Sequence, residues 1–305
     1  MNSLPIIDAH QHFWDLEQNY VPWLCDEEMI PFRYGDYSAI RRNYLPADYR
    51  RDTEGFRVVG SVFVETEWDP RTPIQETRWV HQLAEQEGLP SVMVAQARLD
   101  QSNVEEVLEA HCAYPRVRGI RHKPTAAASP SAVEPGIPGS MGDPAWRRGF
   151  ALLAKHGLSF DLQAPWWHFD EATELAESFP ETQLIINHTG LPADRSETGF
   201  RRWREAIAKV AKLPNVAIKI SGIGVPGTTW SIEANRQVVL ETIECFGIER
   251  CMFASNFPVD SLVASFNTIF GGFMDITASF NEDERRRLFY SNAVHFYRME
   301  SLLTP

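Results

Sequence analysis

Short apolar runs rich in Val and Ile recur along the chain, and each is followed by a polar or amphipathic stretch long enough for a helix. That is the pattern of repeated βα units. Eight strands are predicted, at residues 4–9, 58–64, 91–97, 117–120, 158–162, 183–187, 216–220 and 252–254. Unbroken apolar runs of this kind suit parallel strands buried on both faces. Helical patterns lie at 72–87, 103–112, 144–156, 170–179, 199–212, 231–246 and 260–273. Asp143-Pro144 reads as an N-cap followed by proline at the first helical position, and Gly157 and Gly247 stand where helices commonly end. A further helix is expected over 281–298, opened by a capping box of Asn281 and Glu284 and able to close the bottom or the outer wall.

The elements add up to an α/β fold, a single (β/α)8 TIM barrel over residues 1–305, with its site at the C-terminal ends of the strands. Two long connections break the regularity: 13–57 after the first strand, rich in aromatics and prolines, and 124–142 after the fourth. Loops of that length in a compact domain serve as lids or binding loops.

Composition narrows the class. Hydrophobic residues at 44% and charged residues at 23% suit a folded domain with a large core. The net charge of −12 disfavours nucleic acid and anionic membrane surfaces as partners, so an anionic substrate would need a local basic pocket. The opening MNSLPIIDAH lacks a cationic region and a long apolar run, and no later run is long enough to span a bilayer. The expectation is a cytoplasmic protein with a small-molecule substrate, homo-oligomerisation being left open. Cys25, Cys112, Cys245 and Cys251 show no CxxC spacing and are read as reduced thiols.

Candidate chemistry collects where each apolar run ends. His10 and His12 follow strand one, Glu65 strand two, Arg98 strand three, and Arg121 with His122 strand four. Asp161 and Gln163 come at strand five, His188 after six, Lys219 and Ser221 at seven, and Asn256 after eight. In a parallel barrel those ends share one mouth. His10-Gln11-His12 is the sharpest signal, because alternate residues on a strand face one side and two imidazoles there can grip a metal ion. Trp14 and the pair Trp166 and Trp167 offer aromatic faces for a sugar or planar ring. Arg195, Arg201 and Arg202 read as solvated surface charges, and Asp260 as an N-cap in the following helix.

Six motifs follow in order: Ile7-Asp-Ala-His-Gln-His-Phe-Trp14, Gly119-Ile-Arg-His122, Phe160-Asp-Leu-Gln163, Ile186-Asn-His-Thr-Gly190, Lys219-Ile-Ser-Gly222 and Phe253-Ala-Ser-Asn-Phe-Pro-Val259. Together they resemble the amidohydrolase-related (amidohydrolase 2) family, in its branch of sugar-acid and dicarboxylate lactonases. The resemblance implies a (β/α)8 barrel and, for the most part, hydrolysis of lactone esters, with decarboxylases and hydratases as relatives. It implies that His10, His12 and His188 match positions that bind a divalent ion, zinc or manganese, in some members, while others work without a metal. Arg121, His122 and Lys219 match pocket positions suited to a carboxylate or lactone oxygen; a structural ion pair inside the barrel is the alternative for these cations.

The chain departs from the family at strand eight, where Gly-Ser-Asp-Trp-Pro is usual and Ala254-Ser-Asn-Phe-Pro258 stands here. An amide cannot accept a proton near neutral pH. Either another residue, among His188, His122 and Glu65, is the base, or the chemistry has changed. The expected activity is therefore opening of a lactone by an activated water, with His188, Asn256, His122 and Lys219 as catalytic candidates and Arg121, Glu65, Trp166 and Gln163 as substrate-binding ones. A lyase (decarboxylase-like) or isomerase reaction is the alternative, and a barrel that only binds a metabolite is the third.

Overall fold

The computed structural model describes residues 4–302. Eight strands form one sheet in sequence order, each paired in parallel with the next: β1 Ile6–Gln11, β2 Val58–Val64, β3 Val92–Gln96, β4 Val117–Arg121, β5 Ser159–Leu162, β6 Leu184–Ile186, β7 Val216–Ile220 and β8 Cys251–Phe253. The sheet closes on itself just beyond β8. There the His12 amide donates to Phe257 O at 2.8 Å, and the Asn256 amide to His10 O at 2.8 Å. The predicted TIM barrel is thus the fold, with strand ends shifted by a residue or two.

Helices cover the sheet, and their ends carry the expected signals. Asp143 accepts from the Ala145 amide at 2.8 Å, with Pro144 at the first helical position. Asn281 and Glu284 form the reciprocal capping box at 2.9 Å each way. One helix differs from its prediction. Residues 260–273 are not continuous: a short 3-10 turn, Val259–Leu262, precedes a helix Phe266–Ile276 capped by Ser265, whose side chain accepts from Thr268 N. Asp260 is thereby released from capping and turned inward.

The barrel interior is packed by alternate strand residues such as Ile7, Val62, Val94, Ile185 and Met252, and from below by Ala293, Phe296, Tyr297 and Met299. The predicted C-terminal helix is therefore the plug of the barrel floor. It runs from Glu282 to Phe296 with a π segment, Arg287–Ser291, in the middle. The long β1 loop is compact, with Trp14, Tyr37, Tyr44 and Tyr49 buried and a short helix Pro46–Asp52.

A polar column runs through this apolar interior. Lys219 on β7 is fully buried and meets Asp161 of β5 at 2.5 Å. The same carboxylate accepts from Tyr297 OH at 2.9 and 3.0 Å and from Asn187 Nδ2 at 3.0 Å. A buried ion pair holds only while both charges and the remaining lone pairs are satisfied. Asp161→Asn, which strands the ammonium, is expected to lower the unfolding free energy by about 3–5 kcal/mol in urea titration. Tyr297→Phe, which removes one neutral donor, should lower it by only about 1 kcal/mol; equal losses would show that the pair is not the dominant tie.

Candidate active site

The residues after the strand ends are held by backbone that is itself unusual. Beyond β6, four consecutive residues, His188, Thr189, Gly190 and Leu191, have φ of 56°, 51°, 69° and 57°. A left-handed turn costs about 1 kcal/mol or more for each residue with a Cβ. It is held from outside, since Trp203 Nε1 donates to Thr189 O at 2.7 Å. A Cβ on Gly190 would come within 2.5 Å of the Phe169 ring. The turn points His188 across the mouth, its ring centroid 4.6 Å from that of His10. Gly222, at the end of β7, is required for the same reason: its φ is 58°, and a Cβ would meet His188 Nδ1 at 2.6 Å. Asn256, just beyond β8, also has a positive φ, 56°.

These residues surround a cavity of about 280 Å³. His12, His188, Asn256, Arg121 and Gln163 all line it. The β1 loop adds an aromatic wall of Trp14, Trp23 and Phe32, and a cation, Arg33.

The imidazoles differ in what each presents. His12 Nδ1 faces only a carbonyl, Val64 O at 2.7 Å, so it carries the proton and leaves Nε2 as a lone pair. That lone pair lies 3.3 Å from Asn256 Oδ1, also an acceptor. Two acceptors side by side have no proton between them, so a donor or a cation bound from the cavity fits there. His188 Nδ1 meets Ser221 Oγ at 2.9 Å. His10 sits one layer below, fully buried, with Lys219 Nζ 3.5 Å from its Nδ1. An ammonium can only donate, so His10 Nε2 carries the proton, and it has no partner among the described residues.

Burial keeps all three rings neutral. Desolvation pushes His10 and His188 well below the usual imidazole range, aided by Lys219 beside His10 and by Arg33 and Arg121 around His188. His12 is pushed down to about 3 by burial and by Arg121. The cations gather despite the acidic balance of the whole chain. Arg121 is paired with Glu65 and donates to Gln163 Oε1 at 2.9 Å, and Lys123 reaches Glu67 at 2.7 Å. With Arg33, paired to Asp260, they place three cations around the cavity, each balanced by a carboxylate of the protein.

A family model described as amidohydrolase matches residues 7–299. The chain belongs to the amidohydrolase family. This amidohydrolase is 41% identical over 299 residues to the uncharacterized protein y4mH of Sinorhizobium fredii, covering 98% of this chain and 100% of that one. It is 26% identical over 274 residues to L-fucono-1,5-lactonase of Burkholderia multivorans, covering 86% and 85%. A crystal structure of an amidohydrolase from Burkholderia multivorans with bound zinc superposes with a TM-score of 0.79 at 24% identity, covering 96% and 99%. Membership in the family makes the chain an enzyme, a hydrolase by class.

Not every predicted residue of this amidohydrolase reaches the cavity. Glu65 lies behind Arg121, and Lys219 and His10 lie beneath the floor. His122 faces a neighbouring cleft, its Nδ1 accepting from the Leu99 amide at 3.0 Å and its ring stacked on Trp146. Trp166 packs edge-on against Trp167 away from the cavity lining, and the aromatic wall comes instead from the β1 loop. Arg195 is not a solvated charge: it is half-buried and donates to Ile223 O at 2.8 Å. Asp260, read from sequence as an N-cap, is buried against Asn256. Arg33 and Lys123 escaped sequence reasoning, because no motif marks them; the available signals were the length and aromatic content of the β1 loop for Arg33 and the place just after β4 for Lys123.

His12 and His188 both line the cavity with their Nδ1 atoms engaged, by Val64 O and Ser221 Oγ, and imidazoles held in this way are of the kind that take a divalent ion. His10 fits less well, given the ammonium at its Nδ1. Among the described residues, the group whose ligand atoms all lie within 4.8 Å of one another is instead Glu105, Glu109 and His156 on the outer surface. It is solvated, with Lys155 on Glu105 at 2.5 Å.

The tautomer of His12 is directly measurable. In metal-free protein its nitrogen NMR signals are expected to show Nδ1–H and to titrate at about 3. Titration near the ordinary value of 6.5 would mean that the ring is hydrated and free to turn.

Proposed function

We propose that this amidohydrolase opens a lactone of a sugar acid or related carboxylate by attack of water at the barrel mouth. The observation that carries this reading is the acceptor pair, His12 Nε2 and Asn256 Oδ1 at 3.3 Å, in the same cavity as Arg121. A water bound from the cavity donates to both acceptors and turns its oxygen lone pair outward, toward a carbonyl carbon held above it. Arg121, already fixed by Glu65, faces the carbonyl oxygen and stabilises the charge that forms there. The lactonase name of the Burkholderia relative supports the reaction class.

Asn256 orients the water and takes no proton from it. His188 lines the same cavity, and a negative tetrahedral intermediate beside a desolvated imidazole raises its proton affinity, so that it takes the proton the attacking water gives up and returns it to the ring oxygen as the C–O bond breaks. A zinc or manganese ion would be held by His12 and His188, where it would polarise the carbonyl and acidify water. Arg33 and Lys123 would receive the carboxylate or hydroxyls of the substrate, and Trp14 and Phe32 the apolar side of its ring.

Asn256 also favours a second reading, a lyase or isomerase reaction in which no water is deprotonated. The two part on product mass. A pH-indicator assay over sugar-acid and dicarboxylate lactones, with and without added zinc or manganese, is expected to find one that releases acid and gains the mass of water. His188→Ala should then lower kcat by about 10²–10⁴-fold with the fold retained. Silence across the panel, with loss of carbon dioxide from a carboxylic acid substrate, would overturn the hydrolase reading.

A further inference from the structure

The strand-eight aspartate of the family is missing, yet a carboxylate lies one turn away with no assigned task. Asp260 is buried and accepts three hydrogen bonds on one oxygen: from Asn256 Nδ2 at 2.7 Å, from Arg33 Nη2 at 3.2 Å and from Tyr34 OH at 3.2 Å. Arg33 also donates to Gly222 O at 3.1 Å. Asp260 does not line the cavity, whereas Asn256 and Arg33 both do.

An amide side chain has two ends, and either can face a neighbouring ring. The carboxylate decides which: it accepts only, so it takes Nδ2 and sends Oδ1 toward His12. With the amide reversed, Nδ2 would fill the His12 lone pair, and the acceptor pair that receives the nucleophile would be lost. The same oxygen ties down the β1 loop, which would otherwise have to hold a cation at the cavity wall without a counter-charge.

We propose that Asp260 is the positioning residue of this site, locking the Asn256 amide with its oxygen toward His12 and fixing Arg33 of the β1 loop at the cavity wall. The arrangement replaces an aspartate that touches water by an asparagine oriented from behind. The inference rests on the hydrolase reading only for its kinetic consequence; the orientation of the amide is independent of substrate.

The test uses the full chain as Asp260→Asn, Tyr34→Phe and the exchange Asn256→Asp with Asp260→Asn. On a lactone that the wild type opens, Asp260→Asn is expected to lower kcat about tenfold or more with KM changed less than about threefold. Tyr34→Phe, which leaves the Asn256 contact in place, should stay within about twofold. The exchange restores an oxygen toward His12 and should recover most of the loss. Melting temperatures of all variants, measured alongside, separate unfolding from misorientation. Independently of turnover, the Asn256 side-chain amide signal, assigned by its disappearance in Asn256→Asp, should be protected from hydrogen exchange in the wild type and lose that protection in Asp260→Asn. An unchanged amide signal, or wild-type kcat in Asp260→Asn, overturns the proposal. A wild type that opens no lactone, with the amide result as expected, would reject the hydrolase reading and leave the positioning role standing.

Discussion

Everything in the mouth of this barrel depends on the seam between its last strand and its first. β8 contributes only Cys251–Phe253 to the sheet, too little to hold a barrel closed by ladder hydrogen bonds alone. Asp8 supplies the rest. Its two oxygens accept from the Ser255 amide at 2.8 Å, the Ser255 hydroxyl at 2.6 Å and Tyr49 OH at 2.9 Å. Burial raises its carboxyl to about 6, while those donors pull the other way. The clamp brings the backbone of Asn256 onto His10 and that of Phe257 onto His12, so the two halves of the acceptor pair, far apart in the chain, stand on neighbouring strand ends. Through Tyr49 it also fastens the β1 loop that carries the aromatic wall.

The architecture was readable in the sequence because the strands are largely apolar runs and several helices are bounded by capping chemistry that acts locally. Asp143-Pro144 and the Asn281 box are determined by residues within one turn. Polar residues at strand ends face one mouth, and His12, His188, Arg121, Gln163 and Asn256 line one cavity there. The sequence pattern could not tell which residues lie a layer deeper. Lys219 and Asp161 follow the same pattern, yet they satisfy one another inside the barrel, the ion-pair alternative weighed for this cation. His122, named with the other candidates, lies one residue beyond Arg121, where the strand alternation turns it to the adjacent cleft.

What remained illegible depends on long-range geometry. Asp260 lies four residues past Asn256, a spacing that suits a helical first turn, and local reasoning favours a cap. The chain instead makes a short 3-10 turn there, and the carboxylate gains an ion pair with Arg33 and hydrogen bonds from Tyr34 and Asn256 in place of the backbone donors a cap would have met. Arg33 and Tyr34 come from a loop more than two hundred positions earlier. The same holds for the left-handed turn at His188, whose sequence carries a single glycine and whose cost is met by packing from Phe169 and Trp203.

The plug at the barrel floor has a consequence for biogenesis. Tyr297 completes the shell of Asp161, and Phe296 and Met299 fill the lower interior, yet these residues are synthesised after all eight strands. Until they emerge, the nascent barrel is open at its base and water reaches the Lys219–Asp161 pair from below. Drying of the interior therefore waits on the floor helix, and a chain halted before it would hold a cylinder with a hydrated axis and exposed apolar surface.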